Sequence, residues 1–154
     1  LECYRKTLLE PIELPAIKRA CTLATHGHTD ELIKQDQTFA STHPEWLLLM
    51  PASTRIGRDY LNRLRPLQDE RVIQRFIKAV KQGRSLGHHL TVFGLTMNIF
   101  SIAQRRGLAE YAQFALSAVV STAAGKLKIN HQERDYLLSK SEEQLPKSID
   151  RLVA

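Results

Sequence analysis

Arg71-Val72-Ile73-Gln74-Arg75-Phe76-Ile77-Lys78-Ala79-Val80 is the stretch that decides the fold class. Val72, Ile73, Phe76, Ile77 and Val80 recur at three- and four-residue steps, which place side chains on one face of a helix. Arg71, Arg75 and Lys78 fall on the opposite face. A strand would need sustained alternation with β-branched enrichment, and none persists here or elsewhere in the chain.

Working outward, Gly83 and Gly87 end this helix, and Pro66 closes the one before it. That earlier helix carries Ile56, Tyr60, Leu61 and Leu64 and is expected to be capped by Ser53 or Thr54. His43 to Ala52, with Pro44 and Pro51, reads as a loop. Further upstream, Leu14 to about Thr25 is a helix ended by Gly27, and Thr29 caps the next, which runs to about Ser41. Leu1 to Glu10 reads as a short helix stopped before Pro11.

Downstream lie two segments apolar almost all round, His88 to about Gln104 and Leu108 to about Thr122, with Gly107 expected to make the turn between them. Such helices belong at the centre of a bundle or in a subunit interface. Phe93, Phe100, Tyr111 and Phe114 on them are expected in the core. Two amphipathic pieces, about His131 to Lys140 and Glu142 to Leu152, finish the chain. The expectation is an all-α fold, a single compact helical bundle of about eight or nine helices over residues 1–154. No internal repeat favours a solenoid.

The totals fit a globular helical protein. At 154 residues a domain buries roughly 70% of its unfolded-chain surface. No apolar run nears the ~18 residues that cross a bilayer; Leu47 to Met50 is the densest. Glu2, Arg5, Lys6 and Glu10 in the first ten residues are not the pattern of a signal peptide, and none is expected there. Cys3 and Cys21 form neither a disulfide framework nor a metal motif, so a cytoplasmic protein with reduced thiols is expected. The chain starts at Leu1 rather than Met, as expected if an N-terminal segment precedes it. A net charge of +6 leaves open nucleic acid, an acidic partner surface, or solubility alone.

No motif supplies chemistry. His88 and His89 invite a metal reading, but adjacent residues on a helix diverge by about 100 degrees, and positions 85 and 92 are Ser and Val. The better reading is polar decoration of a helix start. His26-Gly27-His28 at a helix end could hold a metal weakly, but a lone HxH is a poor signal; terminal histidines suit helix carbonyls. Gly125-Lys126 fails as a phosphate loop, because Val120 and Leu127 stand where glycine and Ser or Thr are required. No GxSxG occurs, and the carboxylates are dispersed. No catalytic residue, metal or cofactor is therefore expected. Arg55, Arg58, Arg63, Arg65, Arg71, Arg75, Lys78, Lys81 and Arg84 crowd one basic stretch that could meet phosphates. Sparse aromatics and the lack of a clear helix-turn-helix disfavour nucleic acid.

Several segments together resemble the urease accessory protein UreF family. Leu14-Pro15-Ala16-Ile17-Lys18-Arg19-Ala20, then Gly27 and a helix with Asp36, is similar to that family's LPLLARAY…GD…LD. Ser53 through Leu61 resembles its polar-then-MGR-plus-leucine helix. Gly87 through Phe93-Gly94, with Gly107-Leu108 and Tyr111, resembles H…FG…GL…Y. Ser121 to Leu127, then Gln132 and Leu137-Leu138, is similar to SAAVRL…GQ…LL. The order holds over nearly the whole chain. The family's Pro- and Gly-rich opening is absent, its Pro-Leu-Gly-Gln is Lys128-Ile129-Asn130-His131-Gln132 here, and the long C-terminal tail is missing.

The resemblance implies a non-enzymatic nickel-insertion chaperone. Such a protein forms a homodimer, joins UreD (UreH in some organisms), recruits the GTPase UreG to apo-urease, and regulates that GTPase. The motif-matched candidates for partner binding are Arg55, Arg58, His88, His89, Lys126 and Gln132. Arg55 and Arg58 are expected either to anchor an interface or to pair within the molecule. The alternatives are a basic all-α nucleic-acid-binding or regulatory protein and, behind it, a metal-dependent helical hydrolase using the histidines.

Overall fold

Amphipathic periodicity becomes helix throughout: the computed structural model describes residues 1–154 and contains no strand. The all-α class is as expected. The α-helices are α1 (Glu2–Tyr4), α2 (Leu14–Thr25), α3 (Thr29–Thr42), α4 (Met50–Leu64), α5 (Arg71–Lys81), α6 (His89–Ile99), α7 (Gln104–Leu127), α8 (His131–Glu142) and α9 (Leu145–Val153). A π-helical segment, Arg5–Glu13, leads into α2, and a 3-10 turn, Pro44–Trp46, precedes α4. The residues group into two compact units, 16–102 and 1–15 with 103–154.

In the unit of residues 16–102, α5 behaves as its pattern requires. Ile73, Phe76 and Ile77 are buried, Val72 and Val80 flank them half-buried, and Arg71, Arg75 and Lys78 are exposed. The core joins them to Leu23, Leu32, Leu61, Leu64, Val92 and Leu95 from α2, α3, α4 and α6. The apolar α6 is central because two glycines admit its backbone to close quarters. A Cβ on Gly94 would stand 2.7 Å from both the Ala20 Cβ and the Ile17 carbonyl of α2. A Cβ on Gly57 of α4 would stand 2.0 Å from the Gly87 carbonyl, just before α6.

The unit of residues 1–15 and 103–154 is built on α7, against which α8 and α9 pack. Glu13 is buried there, its Oε2 accepting from the hydroxyls of Tyr4 (2.8 Å) and Tyr111 (2.9 Å). Burial raises the Glu13 carboxyl above its usual range, against the two hydroxyl donors that lower it. Arg5, also buried, bonds Glu10 and Gln144. A reciprocal capping box between Asn130 and Glu133 starts α8.

Several boundaries differ from the sequence reading, each for a local reason. Pro11 does not stop the first helix. The wider i→i−5 register, seen where the Leu14 N–H reaches the Leu9 carbonyl, relieves the clash that proline makes in an α-helix. The connection after His43 contains the 3-10 turn, and α4 starts at Met50 with Pro51 in its first turn, so Ser53 lies inside the helix rather than at its cap. Gly107 makes no turn; it is buried within α7. The break comes at Ser101, φ +51°, where Ile102 N–H bonds to Met97 O (2.8 Å) and Ser101 N–H to Asn98 O (3.1 Å), a Schellman ending without glycine. Of the four aromatics expected in the core, Tyr111 is buried and Phe93 half-buried, but Phe100 and Phe114 are exposed.

Gly94→Ala should destabilise the protein by about 1–3 kcal/mol, the usual cost of overpacking a close contact. Ser101→Gly should stabilise it by about 1 kcal/mol or less, since glycine removes the left-handed penalty but adds unfolded-state entropy. Urea titration followed by circular dichroism checks both signs.

Candidate partner-binding site

Asp36 lies on the apolar face of α3, in step with Leu32, Ile33, Phe39 and Ala40, and is 0% exposed. Its carboxylate faces the segment between α5 and α6. Oδ2 accepts from Ser85 Oγ (2.6 Å), Leu86 N–H (2.8 Å) and Gly87 N–H (2.7 Å), and Oδ1 accepts from His88 N–H (2.9 Å). Successive backbone N–H groups converge in this way only in a concave turn. Gly87 supplies the required bend with φ +77°. Charge-assisted bonds of this kind contribute about 1.5–3 kcal/mol each, without strict additivity.

The clamp sets the two histidines. His88 is the extended N-cap of α6 (φ −61°, ψ 141°) and His89 its first helical residue. The divergence expected of two helical neighbours does not apply, because only one of them is helical. Both rings reach one hydroxyl, Ser53 Oγ, from Nδ1 of His88 (3.0 Å) and Nδ1 of His89 (2.8 Å). The hydroxyl has a single proton to give, so at least one of the two rings donates to it from Nδ1. Trp46 stacks on His89 with ring centroids 5.9 Å apart, and Phe39 lies 5.6 Å from the His88 ring.

Burial lowers the His88 pKa, with Asp36 opposing and Arg58 assisting, and burial with the His88 neighbour pushes His89 down to about 4. Both rings are neutral at pH 7. They stand at the start of α6 as expected, His88 buried and His89 half-buried, and both are tied to Ser53. No group of three or more His, Cys, Asp or Glu is placed to hold a metal ion.

The surface above is basic. The Arg58 Nε–H donates to the Leu86 carbonyl (3.0 Å), closing the outer side of the clamp segment. Arg55, one turn earlier on α4, is exposed, as are Ile56 and Tyr60, and Arg63 lies over the Tyr60 ring at 5.4 Å. Leu47 and Leu48, just before α4, are exposed too. The fold thus gathers Arg58, His88 and His89 around residues 85–89, with Arg55 beside them on α4. Lys126 and Gln132 belong to the other unit, exposed at the end of α7 and the start of α8.

Asp36, Ser53, Trp46 and Gly57 complete the clamp, and sequence reasoning gave none of them this role. Only Asp36 left a signal, as an acid placed on the apolar face of its helix. Asp36→Asn should cost about 3–5 kcal/mol, because an amide turns N–H groups toward donors in a buried place. The two histidines give a pH dependence. In the unfolded chain they protonate near pH 6.5, whereas in the folded protein they resist protonation, His89 down to about 4. The unfolded state therefore holds more protons between these values. Stability is full above about pH 6.5 and falls on acidification toward pH 4, by up to about 3 kcal/mol for His89, lessened by its residual solvent contact. Urea midpoints at pH 7 and 5 should converge in His89→Gln relative to the parent.

No curated protein and no solved structure matches the chain. A family model, UreF, matches residues 6–133, which includes α2 through α7 and the whole clamp. The chain belongs to the UreF family of urease accessory proteins.

Proposed function

We propose that the protein is a scaffold in urease maturation: as a homodimer in the cytoplasm it joins UreD/UreH and brings the GTPase UreG to apo-urease for nickel insertion. Family membership supports the accessory chaperone role. The observation that carries the scaffold reading is the exposed face of α4. Arg55, Ile56 and Tyr60 stand in solvent on a helix whose other side is fixed to the clamp segment through Ser53, Gly57 and Arg58. Aromatic and arginine side chains on a rigid base are what protein interfaces use as anchors.

A scaffold of this kind needs no reacting residue. It acts by binding one state of its partner more tightly than another, and in that way would regulate the GTPase. Arg55 and Arg58 are assigned to the contact surface, Lys126 and Gln132 to a separate contact on the other unit. His88 and His89 act through the segment they hold.

Size-exclusion chromatography and pull-down with UreD/UreH, UreG and apo-urease, with nickel-dependent urease activation, test the reading. Arg55→Ala with Tyr60→Ala should weaken capture of UreD/UreH by about tenfold or more, the loss of one or two anchors, with the helical signal and melting temperature unchanged. An intact protein that binds none of these partners overturns the reading. Retention on DNA that salt abolishes would support the nucleic-acid alternative in its place.

A further inference from the structure

The unit of residues 16–102 carries a groove, on the side of α4 away from Ile56 and Tyr60, of whose lining only Arg58 has been given a functional role above. It occupies about 300 Å³ between two helical stripes: Arg58, Leu61, Asn62 and Arg65 on and just after α4, and Ile77, Val80 and Lys81 on α5. These stripes follow the three- and four-residue steps of one helix face each. Leu61, Ile77 and Val80 form an apolar floor, and Arg58, Arg65 and Lys81 form a cationic rim with Asn62. None of the three cations forms an ion pair with a carboxylate of the chain. Arg58 spends only its Nε–H, on the Leu86 carbonyl.

We propose that this groove binds a short acidic segment of a partner protein, one aliphatic side chain seated on the floor and flanking carboxylates on the rim. Charge complementarity selects the sign: three unpaired cations within one small groove, on a chain of net charge +6, attract an anion. Guanidinium groups bind carboxylates through paired N–H donors, so Arg58 and Arg65 suit them. The apolar floor requires a ligand that is not purely ionic, since burying such a floor under a phosphate or sugar gains nothing. No aromatic lines the groove to stack a base, and no helix N-terminus opens into it to hold a phosphate. The convergent N–H groups of residues 86–88 are already taken by Asp36. A carboxylate-rich peptide with an aliphatic anchor satisfies every one of these features. This inference does not rest on the urease reading: peptide binding and UreD/UreH capture can fail separately.

Fluorescence anisotropy on the full chain tests it with a labelled peptide carrying one Leu flanked by Glu residues. Controls are the same peptide with Gln for Glu, the same peptide with Gly for Leu, and a short DNA duplex. Arg65→Glu and Lys81→Glu should each weaken binding about tenfold, with circular dichroism unchanged because both side chains are exposed. Both altered peptides should bind more weakly than the parent. Lys147→Glu, an exposed charge change in the other unit, should leave affinity as it was. The proposal is overturned if the peptide does not bind, if Lys147→Glu weakens it as much as Arg65→Glu, or if the Gly-for-Leu peptide binds equally. It is also overturned if the DNA duplex binds more tightly than the peptide.

Discussion

The carboxylate of Asp36 is buried with no cation against it, and the backbone of residues 86–88 is arranged to make that tolerable. A carboxylate taken out of water costs several kcal/mol unless its oxygens are fully bonded. Three N–H groups and the Ser85 hydroxyl bond it here. The dependence is mutual. Without the carboxylate, those N–H groups would point at one another in a dry place, and the segment would lose the shape that delivers His88 as an extended cap. From that cap follow the start of α6, the meeting of two imidazoles at Ser53, and the anchoring of Arg58 on Leu86.

Steric constraint carries this organisation outward. Gly57 lets the clamp segment rest on α4 at backbone distance, and Gly94 does the same for α6 on α2. Both glycines lie in the segments that resemble the family, Ile56-Gly57-Arg58 and Phe93-Gly94, and Asp36 lies in a third. Three motifs far apart in sequence thus describe one piece of packing. All three lie within residues 6–133, which the family model matches. What these motifs specify is a support, and the side chains that face solvent above it are where partner choice can vary without unsettling the core.

The parts of the fold that were legible in sequence are those set by local periodicity. The α5 pattern gives both its helix and its buried face, and Gly27 ends α2 as a left-handed terminator should. The misplaced features are those where a distant group overrides the local rule. Pro11 is a helix breaker only if the register is α, and the chain adopts a π register there. Gly107 looks like a turn but is a buried helical position, while Ser101 takes the left-handed turn that composition assigned to glycine. The geometry of the histidine pair differs from the local rule for the same reason. Divergence holds for two helical neighbours, and a carboxylate some fifty residues away, Asp36, keeps His88 outside the helix.

A buried His88 and a half-buried His89, both neutral at pH 7 beneath a basic surface, suit the binding platform proposed above. Acid–base work needs a titrating group that meets a reactant, and these rings are hydrogen-bonded to Ser53, covered by Trp46 and Phe39, and depressed in pKa by burial. Such an arrangement resists change at neutral pH, as the proposed scaffold would require. Rigidity on one side of α4 means that a partner binding the other side does not have to order it first. In the scaffold proposed above, the Asp36 clamp would contribute to recognition without touching a partner, by fixing in advance the helix assigned to the contact.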